Sequence, residues 1–259
     1  DQRDVINHVI NLIENPDPTV CKAVFLDGPG GTGKTFVENT LLNYVRGKGR
    51  IAVPMASSGI AALLLKGGRT VHSRTKAPIN IHECSTCNIE MQSAEAELFR
   101  RADILIWDEA PMSHKLLLDC IDNLLRDITG NKDTPFGGKV VLLAGDFRQV
   151  LPVVPRGSRA QINAASLQRY AHWPLIKVMH LKINVRVQRM LADNDPDTAR
   201  ILAFFSMYLL EVGEGRVPAE PRLGKDWIQL HKDMCLDPGA DVDELIEAVF
   251  PDFHHNIIQ

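Results

Sequence analysis

The chain has few of the features that mark secreted or membrane-spanning proteins. Its five cysteines are scattered and odd in number, which argues against a disulfide framework and favours a reducing compartment. No apolar run approaches the roughly 18 uncharged residues that a membrane helix requires, so we expect no membrane contact. The charged first residues, Asp1-Gln2-Arg3-Asp4, lack the apolar core of a secretory signal. The remaining composition is that of a globular protein, and its 259 residues suffice for one or two domains.

A net excess of basic residues is also absent, since the formal charge is −3. That value by itself argues against a nucleic-acid-binding protein, but the charges are unevenly distributed. Residues 139–192 contain nine lysines and arginines and one acid, whereas residues 193–259 contain five basic and fourteen acidic residues. This segregation indicates one surface suited to a polyanion, unless folding mixes the segments in space.

Short apolar runs alternate with helical patterns along most of the chain. Strands are predicted at residues 23–26, 51–53, 104–107 and 139–143. Helices are predicted at residues 5–13, 34–46, 58–65, 94–101, 116–128 and 199–212. This alternation predicts an α/β fold with a mostly parallel sheet flanked by helices. After residue 192 the pattern changes to one apolar helix followed by glycines and prolines, so residues 193–259 are expected to form a small appended helical and irregular region.

A glycine-rich segment follows the first predicted strand and precedes a helix. It matches the phosphate-loop pattern G-x-x-x-x-G-K-[ST] at every fixed position and reads Gly28-Pro29-Gly30-Gly31-Thr32-Gly33-Lys34-Thr35. Glycines let backbone N–H groups turn toward a phosphate, and the helix N-terminus adds the positive end of a dipole. We expect Lys34 to reach the β- and γ-phosphates and the Thr35 hydroxyl to ligate Mg²⁺. The segment therefore predicts a nucleoside triphosphate site.

Two adjacent acids, Asp108 and Glu109, follow another predicted strand. Ligands gather at the carboxyl ends of strands in open α/β sheets. We expect Asp108 to hold Mg²⁺, directly or through water, and Glu109 to orient and deprotonate the attacking water. The pair favours a nucleotide hydrolase over a phosphate-loop kinase, which has no use for a water-activating acid. Two solvated acids at a strand end are the competing interpretation.

Gln149 lies in a third polar cluster that follows an apolar strand. Its amide offers a donor and an acceptor, which suits a hydrogen bond to the γ-phosphate or to the lytic water. Such a bond would differ between the ATP-bound and ADP-bound states, so it could couple hydrolysis to changes at a distant surface. The alternative is that Gln149 is simply a solvated loop residue. In the same cluster Phe147 is expected to be exposed, and it is a better candidate for base stacking than the tryptophans.

A zinc site has weaker support in the sequence. Cys84-Ser85-Thr86-Cys87, with His82 nearby, has half the spacing of a zinc site. No second Cys-x-x-Cys follows it, so zinc stays a minor hypothesis.

Several motifs occur in the same order as in a known family of helicases. Together they make the chain resemble the petite-integration-frequency (Pif) branch of superfamily 1B DNA helicases. Within that branch, the nearest likeness is to the helicase part of Helitron-type transposon proteins. Besides the phosphate loop they read Ala56-Ser57-Ser58-Gly59-Ile60-Ala61-Ala62-Leu63, Gly68-Arg69-Thr70-Val71-His72-Ser73, Trp107-Asp108-Glu109-Ala110-Pro111-Met112 and Gly145-Asp146-Phe147-Arg148-Gln149-Val150-Leu151-Pro152-Val153-Val154. The resemblance covers roughly residues 1–190. It implies a RecA-like phosphate-loop NTPase domain over residues 1–192, the first motor domain, with a small insertion at about residues 74–100. Residues 193–259 would then lead to a second motor domain that lies outside this chain.

The same resemblance implies a function and its partners. It predicts an ATP-driven motor that moves 5′ to 3′ on DNA, with ATP and Mg²⁺ as cofactors and with single-stranded DNA and DNA forks as partners. It also implies a monomer that acts in DNA repair, recombination or transposition, in the nucleus or in the mitochondrion. The alternative is a truncated or decayed helicase that binds ATP or DNA without productive unwinding.

The resemblance also assigns residues that spacing alone does not. Gln2 takes the place of the adenine-reading glutamine, and Arg186 takes that of the γ-phosphate arginine. A fixed cation there offsets the charge that spreads over the phosphoryl oxygens in the transition state. In that family two segments contact single-stranded DNA, and the residues of this chain that fall in them are Ser57, Ser58, Thr70 and His72. Residues 59–82 contain four basic residues and no acid, which fits a groove that follows a phosphate backbone, although a solvated face explains the same pattern.

Overall fold

The computed structural model describes residues 1–193, 196–224, 227–237 and 239–251. Contacts divide the chain into two units, Asp1–Gly213 and Glu214–Gln259. The described strands are β1 Lys22–Asp27, β2 Ala52–Ala56, β3 Arg69–Thr70, β4 Ile104–Asp108, β5 Val140–Gly145 and β6 Lys177–His180. The described α-helices are α1 Gln2–Glu14, α2 Lys34–Gly47, α3 Gly59–Leu64, α4 Val71–Thr75, α5 Ala94–Arg101, α6 Lys115–Thr129, α7 Arg159–Ala165, α8 Val185–Asp193, α9 Pro196–Gly213 and α10 Val242–Val249.

The six strands form one sheet in the first unit, with the order β3-β2-β4-β5-β1-β6. Every pair of neighbouring strands is parallel, which confirms the predicted α/β class. In the register of the sheet, Ala56 lies beside Asp108 and Asp27 beside Gly145. The carboxyl ends of β1, β2, β4 and β5 therefore meet at one edge, and the phosphate loop and the acidic pair both begin there.

The central strands are apolar along their whole length because both faces of the sheet are covered. On β1, Val24 and Leu26 pack with the residues of α1 and α2, whereas Phe25 packs on the opposite face with those of α5 and α6. On β4, Ile106 and Trp107 divide between the faces in the same way. Side chains of successive strand residues point to opposite faces, so each face receives every second residue.

The helices start and end where local side chains satisfy their free backbone groups. The Ser58 hydroxyl accepts the Ala61 N–H at the start of α3, and the Ser93 hydroxyl accepts the Ala96 N–H at the start of α5. Gly130, with φ of 73°, ends α6 in the left-handed region that favours glycine. Because these signals are local, the sequence predicted these helices within a residue or two of their ends.

Several short elements were not predicted. β3 has only two residues, and β6 is mostly exposed, so neither shows an apolar run. α4 and α7 have five and seven residues, too few for a helical apolar period to stand out.

The second unit has little regular structure in its described part. It contains a short 3₁₀ helix, Lys232–Met234, the helix α10 and one antiparallel bridge between Ala219 and Ile228. Residues 252–259 of the predicted appended region lie outside the described residues. Among the helices that the structure describes, none is both long and apolar enough to pass through a bilayer.

Candidate active site

The phosphate loop makes a tight turn between β1 and α2. Gly31 and Gly33 have φ of 86° and 89°, a conformation that costs glycine little and other residues more. A side chain at Gly31 would begin 2.5 Å from Asn184 Oδ1, and one at Gly33 would begin 2.3 Å from Gln2 Nε2. The left-handed backbone of the turn therefore favours glycine at both positions, and a side chain at either one would also displace the amide group beside it.

An open cavity of about 730 Å³ lies against this loop. Its lining brings together ten of the residues predicted from the sequence, which are Gln2, Gly30, Gly31, Gly33, Lys34, Thr35, Asp108, Glu109, Gln149 and Arg186. The Lys34 ammonium donates a hydrogen bond to the Gly28 carbonyl over 2.7 Å, and the Thr32 hydroxyl donates to the Pro29 carbonyl over 2.8 Å. These bonds hold the loop closed around a buried cation, which suits the binding of an anion.

The acidic pair lies at the end of β4 on the same cavity. Asp108 is buried, and its Oδ1 accepts the Glu109 N–H over 2.8 Å. Glu109 has φ of 52°, which is uncommon for a residue other than glycine. Burial raises the pKa of Asp108, and it raises the pKa of Glu109 with help from the Asp108 charge, while the Lys34 cation opposes both shifts. A raised pKa suits Glu109 to accept a proton from water.

Sequence reasoning missed Glu38, one helical turn after Lys34 on α2. Its side chain is fully buried, and its carboxyl group lies close to that of Asp108. Burial raises its pKa well above the ordinary value, the Asp108 charge adds to this, and Lys34 opposes it. The sequence does contain one indication of this buried acid, because position 38 is a charged residue next to Val37 on the apolar face of α2.

We expect Glu38→Gln to raise the unfolding temperature more at pH 8 than at pH 5, in the absence of nucleotide and Mg²⁺. The pKa of Glu38 is higher in the folded than in the unfolded chain. Between these two pKa values Glu38 ionises in the unfolded chain but stays protonated in the folded chain, so the wild type loses stability as pH rises through this range. Glutamine does not ionise and escapes this loss. Thermal melts at both pH values measure the effect, with the exposed Glu97→Gln as the control. Equal shifts at both pH values would contradict it.

Gln149 is placed beside the phosphate loop by a chain of polar contacts. Its Nε2 lies 3.8 Å from where a side chain at Gly30 would begin, and it donates to Asp146 Oδ2 over 3.2 Å. The buried Asp146 also accepts from Arg148 Nε over 2.6 Å. Arg148 Nη2 in turn lies 3.2 Å from Oδ1 of Asp27, the residue that precedes the loop. Sequence reasoning missed this ion pair, which joins the Gln149 segment to the phosphate loop.

Breaking that ion pair should affect the rate of ATP turnover more than ATP binding. We expect Arg148→Met to lower kcat about tenfold and to change KM for ATP by less than about threefold, because Gln149 loses its support while the loop keeps its glycines and lysine. Asp27→Asn should have a similar effect, and the double variant should be little worse than either one. Steady-state kinetics measure these values. Additive losses, or an equal loss with Arg101→Met, would contradict the coupling.

Gln2 and Arg186 reach the cavity from the two ends of the first unit's sequence. Gln2 Nε2 donates to the Thr32 carbonyl over 2.8 Å, and the Arg186 N–H donates to the Gly31 carbonyl over 3.2 Å. Arg189, one turn further along α8, also lines the cavity and was not predicted. The phosphate loop therefore positions the residues of α1 and α8 directly.

The four residues predicted to contact DNA do not line this cavity. The Ser57 hydroxyl accepts the Trp107 indole N–H over 2.9 Å and lies 3.0 Å from the Ser113 hydroxyl. The Ser58 hydroxyl accepts the Ala61 N–H at the start of α3, and the Thr70 hydroxyl accepts the Ser73 N–H at the start of α4. Burial lowers the pKa of His72. Each hydroxyl thus has a local structural role, and a contact with DNA stays a prediction for all four.

Phe147 was expected to be exposed, and this expectation is wrong. Its ring lies 4.8 Å from the Phe25 ring and 5.7 Å from the Trp173 ring, so it packs against the core. The zinc hypothesis gains no support either. Cys87 Sγ lies 3.3 Å from Cys120 Sγ while Cys84 is exposed, and no group of three potential ligands is placed to hold a metal within the described ranges.

Comparisons with known proteins identify related sequences. Residues 1–222 match the profile of a family described as PIF1-like helicase. The chain is 36% identical over 144 residues to the ATP-dependent DNA helicase Pif1 of Psychrobacter sp. (strain PRwf-1), covering 55% of this chain and 21% of that protein. It is 34% identical over 161 residues to the ATP-dependent DNA helicase RRM3 of Saccharomyces cerevisiae, covering 60% and 21% respectively.

A solved structure shows the same fold. The crystal structure of Pif1 helicase from Bacteroides in complex with ADP-AlF3 and single-stranded DNA aligns with a TM-score of 0.58 and 26% identity, over 73% of this chain and 44% of that chain. The fold is therefore that of a RecA-like phosphate-loop NTPase. The chain spans about a fifth of the length of the two curated relatives and less than half of the solved chain.

Proposed function

Because the chain belongs to the PIF1-like helicase family, we propose that it binds and hydrolyses ATP as part of a DNA helicase. One observation supports this most strongly. The loop lysine, the acidic pair at the end of β4, Gln149 and Arg186 come from four separate parts of the sequence and line a single cavity. Such an arrangement supplies the groups that phosphoryl transfer requires, which are a phosphate cradle, a base for water and cations for the developing charge.

Magnesium fits the residues of this cavity. The carboxyl groups of Asp108 and Glu109 interact electrostatically with each other and with the Lys34 cation, so oxygen ligands of the kind that Mg²⁺ prefers lie beside the phosphate loop. The Thr35 hydroxyl and the Asp108 carboxylate would hold the ion, which would neutralise charge on the phosphates.

The remaining steps follow from the protein's own groups. Glu109 accepts a proton from a water whose oxygen attacks the γ-phosphorus, and the bond to the β-phosphate oxygen breaks to release ADP. Gln149 holds the water or the γ-phosphate, and Arg186 offsets charge on the phosphoryl oxygens. Gln2 reads the adenine.

The proposal extends to the domain organisation, the direction of movement and the DNA contacts. We place residues 1–192 as the first motor domain and residues 193–259 as the region leading to a second one. The motor would move 5′ to 3′ on single-stranded DNA and act at forks, as a monomer and in the nucleus. Its contact residues would include Ser57, Ser58, Thr70 and His72. A Helitron-type origin is the proposed branch within the family.

ATP turnover with and without single-stranded DNA tests this function. We expect turnover to rise when single-stranded DNA is added, because the proposed motor couples hydrolysis to movement on DNA. Nucleotide binding without turnover in either condition would favour the alternative of a decayed helicase. A failure to bind any nucleotide would reject both.

A further inference from the structure

We propose that Cys87 and Cys120 form an oxidation-sensitive thiol pair, which peroxides convert to a reversible disulfide. The Cys87 Sγ lies 3.3 Å from the Cys120 Sγ, although the two residues are 33 positions apart in the sequence. Neither residue lines the cavity beside the phosphate loop, and the proposed ATP hydrolysis uses neither thiol. The pair is therefore a modification site that is separate from the proposed function.

The two thiols come from elements of different regularity. Cys120 lies on α6, where it is buried in the core on one face of the sheet. Cys87 lies in residues 76–93, which contain no helix or strand, and it packs against the same core while it stays half-buried. A disulfide bond is about 2.05 Å long, so the sulfurs must approach each other by roughly 1.2 Å. A segment outside helices and strands can supply this shift through small rotations.

The contact between the sulfurs gives the two thiols different protonation states. A hydrogen bond from the Cys87 thiol lowers the pKa of Cys120, against the opposing effect of burial. The same bond and burial raise the pKa of Cys87, which stays protonated. The thiolate is the reactive form of cysteine, so Cys120 supplies the nucleophile and Cys87 supplies the second thiol.

Oxidation of the pair by hydrogen peroxide takes two steps. The Cys120 thiolate attacks one peroxide oxygen, the O–O bond breaks, and the departing hydroxide takes up a proton to become water, which leaves a sulfenic acid at Cys120. The Cys87 sulfur then attacks the Cys120 sulfur, and the hydroxyl group leaves with the Cys87 proton as a second water. Two thiols are oxidised to one disulfide while one peroxide is reduced to two waters. The half-buried Cys87 gives this small oxidant access to the pair.

The disulfide would tie residues 76–93 to α6. The Asn88 N–H donates to the Lys76 carbonyl over 3.1 Å, so a bond at Cys87 would also hold the base of this segment, directly after α4. A cross-link restricts the unfolded chain more than the folded one, so the oxidised protein should resist unfolding. Metal binding does not compete for the thiols, because no third histidine, cysteine or acid joins them in a metal-binding group among the residues that the structure describes.

The test treats the whole chain with hydrogen peroxide, alkylates the remaining thiols and locates disulfides by mass spectrometry of peptides. We expect a Cys87–Cys120 disulfide that dithiothreitol reverses, and an unfolding temperature at least about 5 °C higher in the oxidised than in the reduced protein. Cys87→Ser should lose both the disulfide and the temperature shift, and so should Cys120→Ser. The control Cys84→Ser/Cys235→Ser, which removes two exposed thiols, should keep both.

Cys87→Ser is the principal variant because Cys87 is half-buried, and unfolding temperatures of the reduced variants establish that each one folds. Free Cys87 and Cys120 thiols after peroxide treatment would overturn the proposal. A disulfide from either residue to Cys84 or Cys21 would overturn it as well, as would oxidation of Cys120 to a sulfinic acid without a disulfide. None of these outcomes depends on ATP turnover, so a failure here is distinguishable from a failure of the proposed function.

Discussion

Lys34→Ala should lower ATP turnover by at least about a hundredfold. The Lys34 ammonium is buried at the phosphate loop, and Lys34 is the only lysine that lines the cavity against this loop within the described part of the chain. Removing a fixed cation that stabilises developing phosphoryl charge costs about 10² to 10³ in rate. Phosphate release measures turnover, and a fluorescent ATP analogue measures the expected loss of affinity.

The matched control for this change is Lys66→Ala, which removes an exposed lysine outside the cavity. It should leave nucleotide affinity and DNA-free turnover within about twofold of wild type. Undiminished turnover in Lys34→Ala would mean that phosphates bind elsewhere.

Glu109→Gln should separate binding from hydrolysis. Glutamine has nearly the same shape and cannot accept a proton from water, so hydrolysis should fall by about 10² to 10⁴ while ATP affinity stays within a few-fold of wild type. The control is Asp119→Asn, another half-buried carboxyl group whose pKa is raised by burial, placed outside the cavity. Equal turnover in wild type and Glu109→Gln would refute the assigned role.

The pH profile of the wild type gives a second test of Glu109. Burial and the Asp108 charge raise its pKa, and only the deprotonated carboxylate accepts a proton. Acidification should therefore reduce turnover at pH values above the ordinary pKa of a glutamate. In Glu109→Gln this acidic limb should be missing from the residual rate.

The sequence indicated that several residues of the cavity lie close together, because they stand at fixed spacings on regular elements, and their roles stay predictions. Lys34 and Thr35 begin α2 directly after the glycine turn, whereas Asp108 ends a buried strand and Glu109 follows it. In a parallel sheet the ends of such strands must meet at one edge. Local pattern and topology together therefore predict that these residues lie close together.

Contacts between distant segments were not predictable in this way. Arg148 and Asp27 are 121 residues apart, and nothing in either local pattern indicates the partner. Glu38 was not predicted as a site residue, because it lies among the buried apolar residues on the core-facing side of α2. Phe147 was assigned to the surface because it follows a strand, yet Phe25 and Trp173 converge on it from two other segments.

The most direct test of the account is a crystal structure with a non-hydrolysable ATP analogue and Mn²⁺ in place of Mg²⁺. Anomalous scattering locates the manganese without reference to the protein atoms. We expect the ion between the Thr35 hydroxyl and the Asp108 carboxylate, with the terminal phosphates against Lys34 and Glu109 facing the γ-phosphate. Nucleotide or manganese bound away from this cavity would contradict ATP binding at the phosphate loop.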